Sequence, residues 1–212
     1  MSTLTALPVA GFADALASDA PAPGGGSAAA AAGAFGAGLL AMVVRLTLGK
    51  EKYREAWETL EPLLPRLDEA RRKLLELVDE DTKAYDAIVE ARKLPKESDV
   101  EKAARKKAID DATLVATSVP IQTAFFAEQA LRSARAVGER GNPNAASDAW
   151  VAALLLAAAV EGALANVCIN LGGVADPELK GGFSEDADEL AKKSATSLEA
   201  CRELARSRGL AV

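Results

Sequence analysis

The chain has 212 residues, 50% of them hydrophobic and 4% aromatic, which is enough for one sizeable core and too little for two. Alanine fills 47 positions and β-branched residues never gather into alternating runs, so helix is favoured and all-β or α/β architectures are excluded. A net charge of −6 argues against a broad footprint for nucleic acid or an anionic membrane surface. No histidine occurs anywhere; imidazole is therefore unavailable as a base or a metal ligand, no metal site is expected, and proton transfer falls to carboxylates, lysine, tyrosine or solvent.

Taken in chain order, residues 4–17 read as a short helix that ends in the breaker run Ser18-Asp19-Ala20-Pro21-Ala22-Pro23-Gly24-Gly25-Gly26. Ser27 can cap a second helix running to about Leu48, whose stretch 27–44 holds 18 residues without a charge. Its alanines and glycines are too weakly hydrophobic for a membrane span, and the absence of side-chain bulk suits the centre of a bundle or a subunit interface. Residues 50–94 are helical and amphipathic, with Pro62 and Pro65 expected to kink or divide the segment near its start. A fourth helix spans about residues 100–138 and carries Pro120, where a bend is expected. Gly141-Asn142-Pro143-Asn144 turns the chain, Ser147 offers a cap, and an apolar helix runs to Leu171 before Gly172-Gly173. A last helix covers about residues 185–208. About six helices in one domain over residues 1–212 describe an all-α, up-and-down bundle. Cys168 and Cys201 lack CxxC spacing and read as buried small apolar residues in a reducing cytoplasm, and residues 1–9 lack the basic start of a secretory signal.

The informative residues are polar groups that violate this pattern. On a helical wheel centred on Val78, Leu67, Leu74, Leu75, Tyr85, Ile88 and Val89 fall within about 80°, and Asp81 falls inside that buried stripe at about −60°. Asp79 and Asp86 lie at its border. A carboxylate among apolar neighbours is either hydrogen-bonded to a facing helix or lines a cleft where its perturbed pKa is used. The run from Pro23 to Ser27 leads into a helix N-terminus able to hold an anion or a polar ring, without the spacing of a Walker loop or the preceding strand of a dinucleotide fingerprint. A second polar loop, Asn142 to Asp148, also feeds a helix N-terminus, with Asn144 and Asp148 able to reach the space it overhangs. Asn166 and Asn170 share the wheel face of Asp148, but 18 residues separate Asp148 from Asn166, about 27 Å along a helix. They are read as interhelical hydrogen-bond partners or contributors across a dimer interface. The seven basic and three acidic residues over 92–107 suit a solvated helix hairpin, whereas Arg45, Lys50, Lys52 and Arg54 form a basic cluster suited to ligand carboxylates.

The run from Leu16 to Ser27, the stretch Ala41-Met42-Val43 to Thr47-Leu48-Gly49-Lys50 with Tyr53, and Asp81 to Asp86 with Leu94-Pro95 resemble the cyclodeaminase domain of formiminotransferase-cyclodeaminase. The likeness continues through Val119-Pro120, Gly141-Asn142 to Asn144, Ser147-Asp148 and Asn166 to Leu171, in collinear order over most of the chain. The family includes stand-alone bacterial methenyltetrahydrofolate cyclohydrolases and serine-cycle enzymes, and this sequence resembles a stand-alone member. The resemblance implies an all-helical, homodimeric, cytoplasmic enzyme acting on a reduced folate, with or without a polyglutamate tail, and requiring no cofactor beyond that tetrahydrofolate-derived substrate. Neither nucleic acid nor membrane is an expected partner. On this reading Asp81 is the acid/base and cation stabiliser, with Asp148 an alternative acid/base or pterin anchor. Gly24, Gly25, Gly26, Ser27 and Asn144 hold polar edges of the pterin, and Lys50 with Arg45 or Lys52 meets the glutamate tail. The expected reaction is formimidoyltetrahydrofolate cyclodeamination; the alternatives are methenyltetrahydrofolate cyclohydrolysis and a non-catalytic helical folate-binding or interaction module.

Overall fold

Proline and glycine divide the chain into seven α-helices in the computed structural model, which describes residues 3–212. They are α1 (Val9–Leu16), α2 (Gly25–Leu48), α3 (Trp57–Leu60), α4 (Leu64–Lys93), α5 (Asp99–Arg140), α6 (Ala146–Leu171) and α7 (Pro177–Ser207), with short 3-10 turns between them and no strand among the described residues. Four helices, α2, α4, α5 and α6, form a square of antiparallel neighbours, and α7 covers α5 and α6. The antiparallel sense follows from the contacts: Arg45 of α2 pairs with Asp68 of α4 while Ser27 reaches Asp81, and Asn170 of α6 bonds Ala116 of α5. The all-α, up-and-down expectation therefore holds.

The alanine and glycine content decides how closely α2 and α6 approach. A Cβ on Gly36 would sit 2.7 Å from Leu156 Cγ and 2.9 Å from the Ala152 carbonyl, and one on Gly33 would sit 3.1 Å from Ala159 Cβ. Further along the same seam Gly162 faces Ala29. Leu40, Val43, Val44, Leu74, Leu131 and Leu156 fill the space on either side of it. Both α2 and the segment Pro143–Leu171 are long and apolar enough to cross a membrane, but 67% and 50% of their most apolar windows are buried within the bundle. For residues 27–44 this is the bundle helix that the composition suggested.

Several expected boundaries move for local reasons. The helix expected from Leu4 is interrupted: a 3-10 turn at Leu4–Ala6 is followed by Pro8, which stands at the N-cap of α1. Pro62 and Pro65 do divide the 50–94 segment, because each sits in the first turn of its own helical piece, where a missing N–H is tolerated. Pro120 does not divide α5, which runs as one helix from its Ser98–Glu101 capping box to Arg140. The last helix begins eight residues before the expected Glu185: Asp176 caps Glu178 and Leu179, Pro177 opens the helix, and Gly181-Gly182 lie inside it. Ser147 does not cap α6, whose N-cap is Ala145. Cys201 is buried, and burial pushes its thiol up to about 11, but Cys168 is exposed, contrary to the expectation for it.

Glu128 Oε1 of α5 is the one side-chain oxygen or nitrogen sealed from solvent without a hydrogen-bond partner among the described residues; the residue is 3% exposed. Burial raises its pKa above 4.5, aided by the Glu189 charge and opposed by Arg132, 4.0 Å away, and by Lys193. A carboxyl that holds its proton more tightly when folded makes stability fall as pH rises from its unfolded pKa through its folded one. Glu128→Gln is therefore expected to raise the melting temperature at pH 8, with the gain shrinking towards pH 4; thermal unfolding across that range checks it.

Candidate active site

Ser27 is not the cap of α2. The helix starts at Gly25 after Gly24, and no side chain of its own covers its first N–H groups. A carboxylate from another helix does so instead. Asp81 Oδ2 of α4 accepts the Ser27 N–H at 2.8 Å and lies 2.9 Å from Ser27 Oγ, which is also 2.9 Å from the Val78 carbonyl, so the one hydroxyl proton serves both. The positive end of the helix dipole and an anionic side chain thus meet.

Such an approach requires glycine at position 26. A Cβ there would stand 2.0 Å from Asp81 Oδ1 and 2.5 Å from its Cγ, so any side chain would displace the carboxylate. Burial is the largest influence on Asp81 and raises its pKa above 3.8; the side-chain and backbone bonds from Ser27 pull the other way. Burial wins because two hydrogen bonds reach one oxygen only, and no cation lines the site.

Beside this contact opens a cavity of about 190 Å³, lined by Pro21, Ala22, Gly24, Gly25 and Gly26 from the loop and helix start, by Asp81, Ala84, Tyr85 and Ile88 from α4, by Ala116 from α5, and by Asn166 and Asn170 from α6. Asp81 is its only carboxylate. The apolar stripe of α4 explains the shape: Leu74 and Val78 are sealed in the core, while Tyr85 and Ile88 lie further along where the stripe opens onto the cavity. Asp79, two residues before Asp81 and on another face of α4, has a structural task, accepting from Leu4 N at 2.6 Å and Thr5 Oγ1 at 2.9 Å.

Of the expected site residues, Gly24, Gly25, Gly26, Ser27 and Asp81 come together. Asn144, Asp148 and Lys50 do not join them within one chain. They lie at the other end of the bundle, where Asn142 N donates to Thr47 Oγ1 and Tyr53 Oη donates to Asn142 Oδ1. From Ser27 to Thr47 is twenty residues of α2, about 30 Å. There Asn144 and Lys50 are exposed, Asp148 is half-buried in the first turn of α6, and Arg45 is engaged by Asp68. The glycine cavity instead includes Asn166 and Asn170, read from the sequence as interhelical hydrogen-bond partners or contributors across a dimer interface. That reading fits Asn170, which donates to Ala116 O of α5 at 2.7 Å; Asn166 donates to Gly162 O of its own helix at 2.8 Å.

With this geometry in place, comparisons with known proteins agree on one family. The family model described as formiminotransferase-cyclodeaminase matches residues 8–189. A methenyltetrahydrofolate cyclohydrolase of Methylorubrum extorquens is 41% identical over 165 residues, covering 78% of this chain and 79% of that protein. A formimidoyltransferase-cyclodeaminase of Gallus gallus is 33% identical over 191 residues, covering 90% of this chain, which spans only 35% of that longer relative. Among solved structures, a formiminotetrahydrofolate cyclodeaminase of Thermotoga maritima superposes with a TM-score of 0.85 at 26% identity, covering 95% of this chain and 97% of that one. The fold is therefore that of the helical cyclodeaminase/cyclohydrolase class. This chain is a member of the formiminotransferase-cyclodeaminase family.

The Gly26 contact can be tested without any substrate. Gly26→Ala is expected to lower stability by about 1–3 kcal/mol through overpacking, and Asp81→Ala in the same chain is expected to recover much of that loss. A double-mutant cycle by chemical denaturation reads the coupling; additive effects would mean that the two positions do not touch.

Proposed function

We propose that this chain is a folate one-carbon enzyme in which Asp81 exchanges protons at the carbon bridging N5 and N10 of tetrahydrofolate. The observation that carries the reading is a half-buried carboxylate of raised pKa, lining a cavity that holds no cationic side chain. Such a group can stabilise a positively charged amidine and exchange protons with it using neither histidine nor metal.

The favoured reaction is cyclohydrolysis of 5,10-methenyltetrahydrofolate, supported by the 41% identity to a cyclohydrolase of matching length. Water adds to the cationic bridge carbon and loses a proton to Asp81. The C–N5 bond then breaks as N5 takes that proton from Asp81, and the hydroxyl gives up its own proton as the formyl C=O forms, giving 10-formyltetrahydrofolate and releasing one net proton. The second reading is cyclodeamination, supported by the likeness to the Thermotoga structure. In that direction N10 attacks the protonated formimino carbon on N5, the N10 proton passes to the departing nitrogen, and ammonia leaves the same methenyl cation. Both paths share one tetrahedral carbon, so one site serves either. The glycine-lined start of α2 would hold polar edges of the pterin.

The same reading has the chain acting as a homodimer. Apolar side chains are exposed along the outer sides of the paired helices, Phe35, Met42 and Leu46 on α2 and Val151 and Leu154 on α6. Near one end of these helices stand Glu161 of α6 and the neighbouring Asp81 of α4, and at the other Arg45 of α2 with Lys50 and Lys52 just beyond it. A two-fold axis across their middle would set the basic end of one subunit over the acidic end of its partner. Lys50, Asn144 and Asp148 would then serve the partner's Asp81, with Lys50 meeting the glutamate tail.

One experiment tests both parts. Wild type, Asp81→Asn, Asp148→Asn and an equimolar refolded mixture of the two variants are each given 5,10-methenyl- and 5-formiminotetrahydrofolate. Expected are methenyl decay faster than spontaneous hydrolysis, a drop of about two orders of magnitude or more in Asp81→Asn, and activity in the mixture above either variant alone. Ammonia from the formimino substrate would favour the second reading; turnover of neither substrate would refute the enzyme. A mixture no more active than its parts would refute the shared site.

A further inference from the structure

The least expected members of the cavity are its two asparagines, and their amides are not free to turn. Pro120 has no N–H, so the carbonyl four residues earlier in α5, that of Ala116, loses its helical donor. Asn170 Nδ2 supplies it at 2.7 Å. Asn166 Nδ2 is spent similarly on the Gly162 carbonyl at 2.8 Å. Rotating either amide by 180° would set oxygen against oxygen, so these bonds decide which atom is the amide oxygen. Neither Oδ1 accepts a hydrogen bond from the described residues, and neither is sealed from solvent. Asp81 Oδ1 is likewise unclaimed, since Ser27 engages Oδ2. Asn166, Asn170 and Asp81, each carrying one oxygen with unfilled acceptor capacity, thus line one cavity that contains no cationic side chain.

We propose that Asn166 and Asn170 are specificity-determining residues: held by the Gly162 carbonyl and the Pro120-freed Ala116 carbonyl, they turn their amide oxygens to the cavity and, with Asp81, select the cationic amidine over neutral folates. The inference rests on the folate reading and adds to it the charge state that the site favours. An oxygen wall attracts the delocalised positive charge of the bridge and its neighbouring C–H, whereas a neutral acyl group gains little from it and brings its own oxygen into repulsion. Pro120 then has a function at a distance, since it makes Ala116 O an acceptor that fixes Asn170 in one orientation.

The test compares equilibrium binding of two probes, cationic 5,10-methenyltetrahydrofolate and neutral 5-formyltetrahydrofolate, under conditions where turnover is slow. Wild type is expected to prefer the cation. Asn170→Leu is expected to lower that preference by about tenfold or more, the size of one hydrogen bond to a charged group, with the affinity for the neutral probe nearly unchanged. Pro120→Ala restores an N–H for Ala116 O, so it is expected to raise thermal stability and yet reduce the cation preference, because the Asn170 amide is released. A purely structural role for Asn170 predicts the opposite, with Pro120→Ala leaving the preference intact and Asn170→Leu weakening both probes equally. Equal binding of both probes by wild type would overturn this inference alone, and binding of neither would overturn the folate reading with it.

Discussion

A carboxylate seated in the open end of a helix organises this protein's site. Asp81 can reach the first turn of α2 only because position 26 carries no side chain, and the contact pins α2 to α4 at the point where the cavity begins. The same contact sets two opposing electrostatic demands. The helix end and the Ser27 hydroxyl favour the charged form, whereas removal from water favours the neutral one, and burial outweighs the bonds enough to raise the pKa above 3.8. A group placed so holds its proton more tightly than an ordinary surface aspartate, which is what the proposed proton exchange in a histidine-free chain draws on.

The helices around this contact are placed by small residues. Gly33, Gly36 and Gly162 bring α2 and α6 into near backbone contact along an antiparallel seam, and where that seam runs out Asn166 stands beside Gly25. The packing that stabilises the bundle therefore also determines which α6 residues meet the glycine loop. Proline 120 plays a comparable part in α5: a group that would be a defect in an isolated helix is satisfied by a side chain of α6 and so ties α5 to the wall of the cavity.

Much of this was legible in the sequence, and the failures have physical causes. Asp81 stood out because helical periodicity put it among leucines, and the glycine run stood out because it preceded a capable helix. Within one chain Asn144, Asp148 and Lys50 do not join them, because the length of α2 separates the two loops by the same rise per residue that keeps Asn166 away from Asp148. Asn166 and Asn170 were visible only as polar residues on an apolar helix. The missing signal was the proline in α5, which announces an unpaired carbonyl; which side chain would satisfy it is a tertiary matter that spacing cannot supply. The early start of α7 was misjudged because Gly181-Gly182 looked like a break, when Asp176-Pro177 gave the stronger signal of a capped N-terminus.

The account depends most on the acidity of one side chain. Carboxyl-carbon NMR of the wild-type protein, with Asp81 assigned by comparison with Asp81→Asn, would follow its titration directly. The account predicts a midpoint displaced upwards from the ordinary aspartate value of 3.8, and a further rise when Ser27 is replaced by alanine. A midpoint at or below that value would show that the helix end and the serine dominate, leaving Asp81 a structural cap with no proton to exchange.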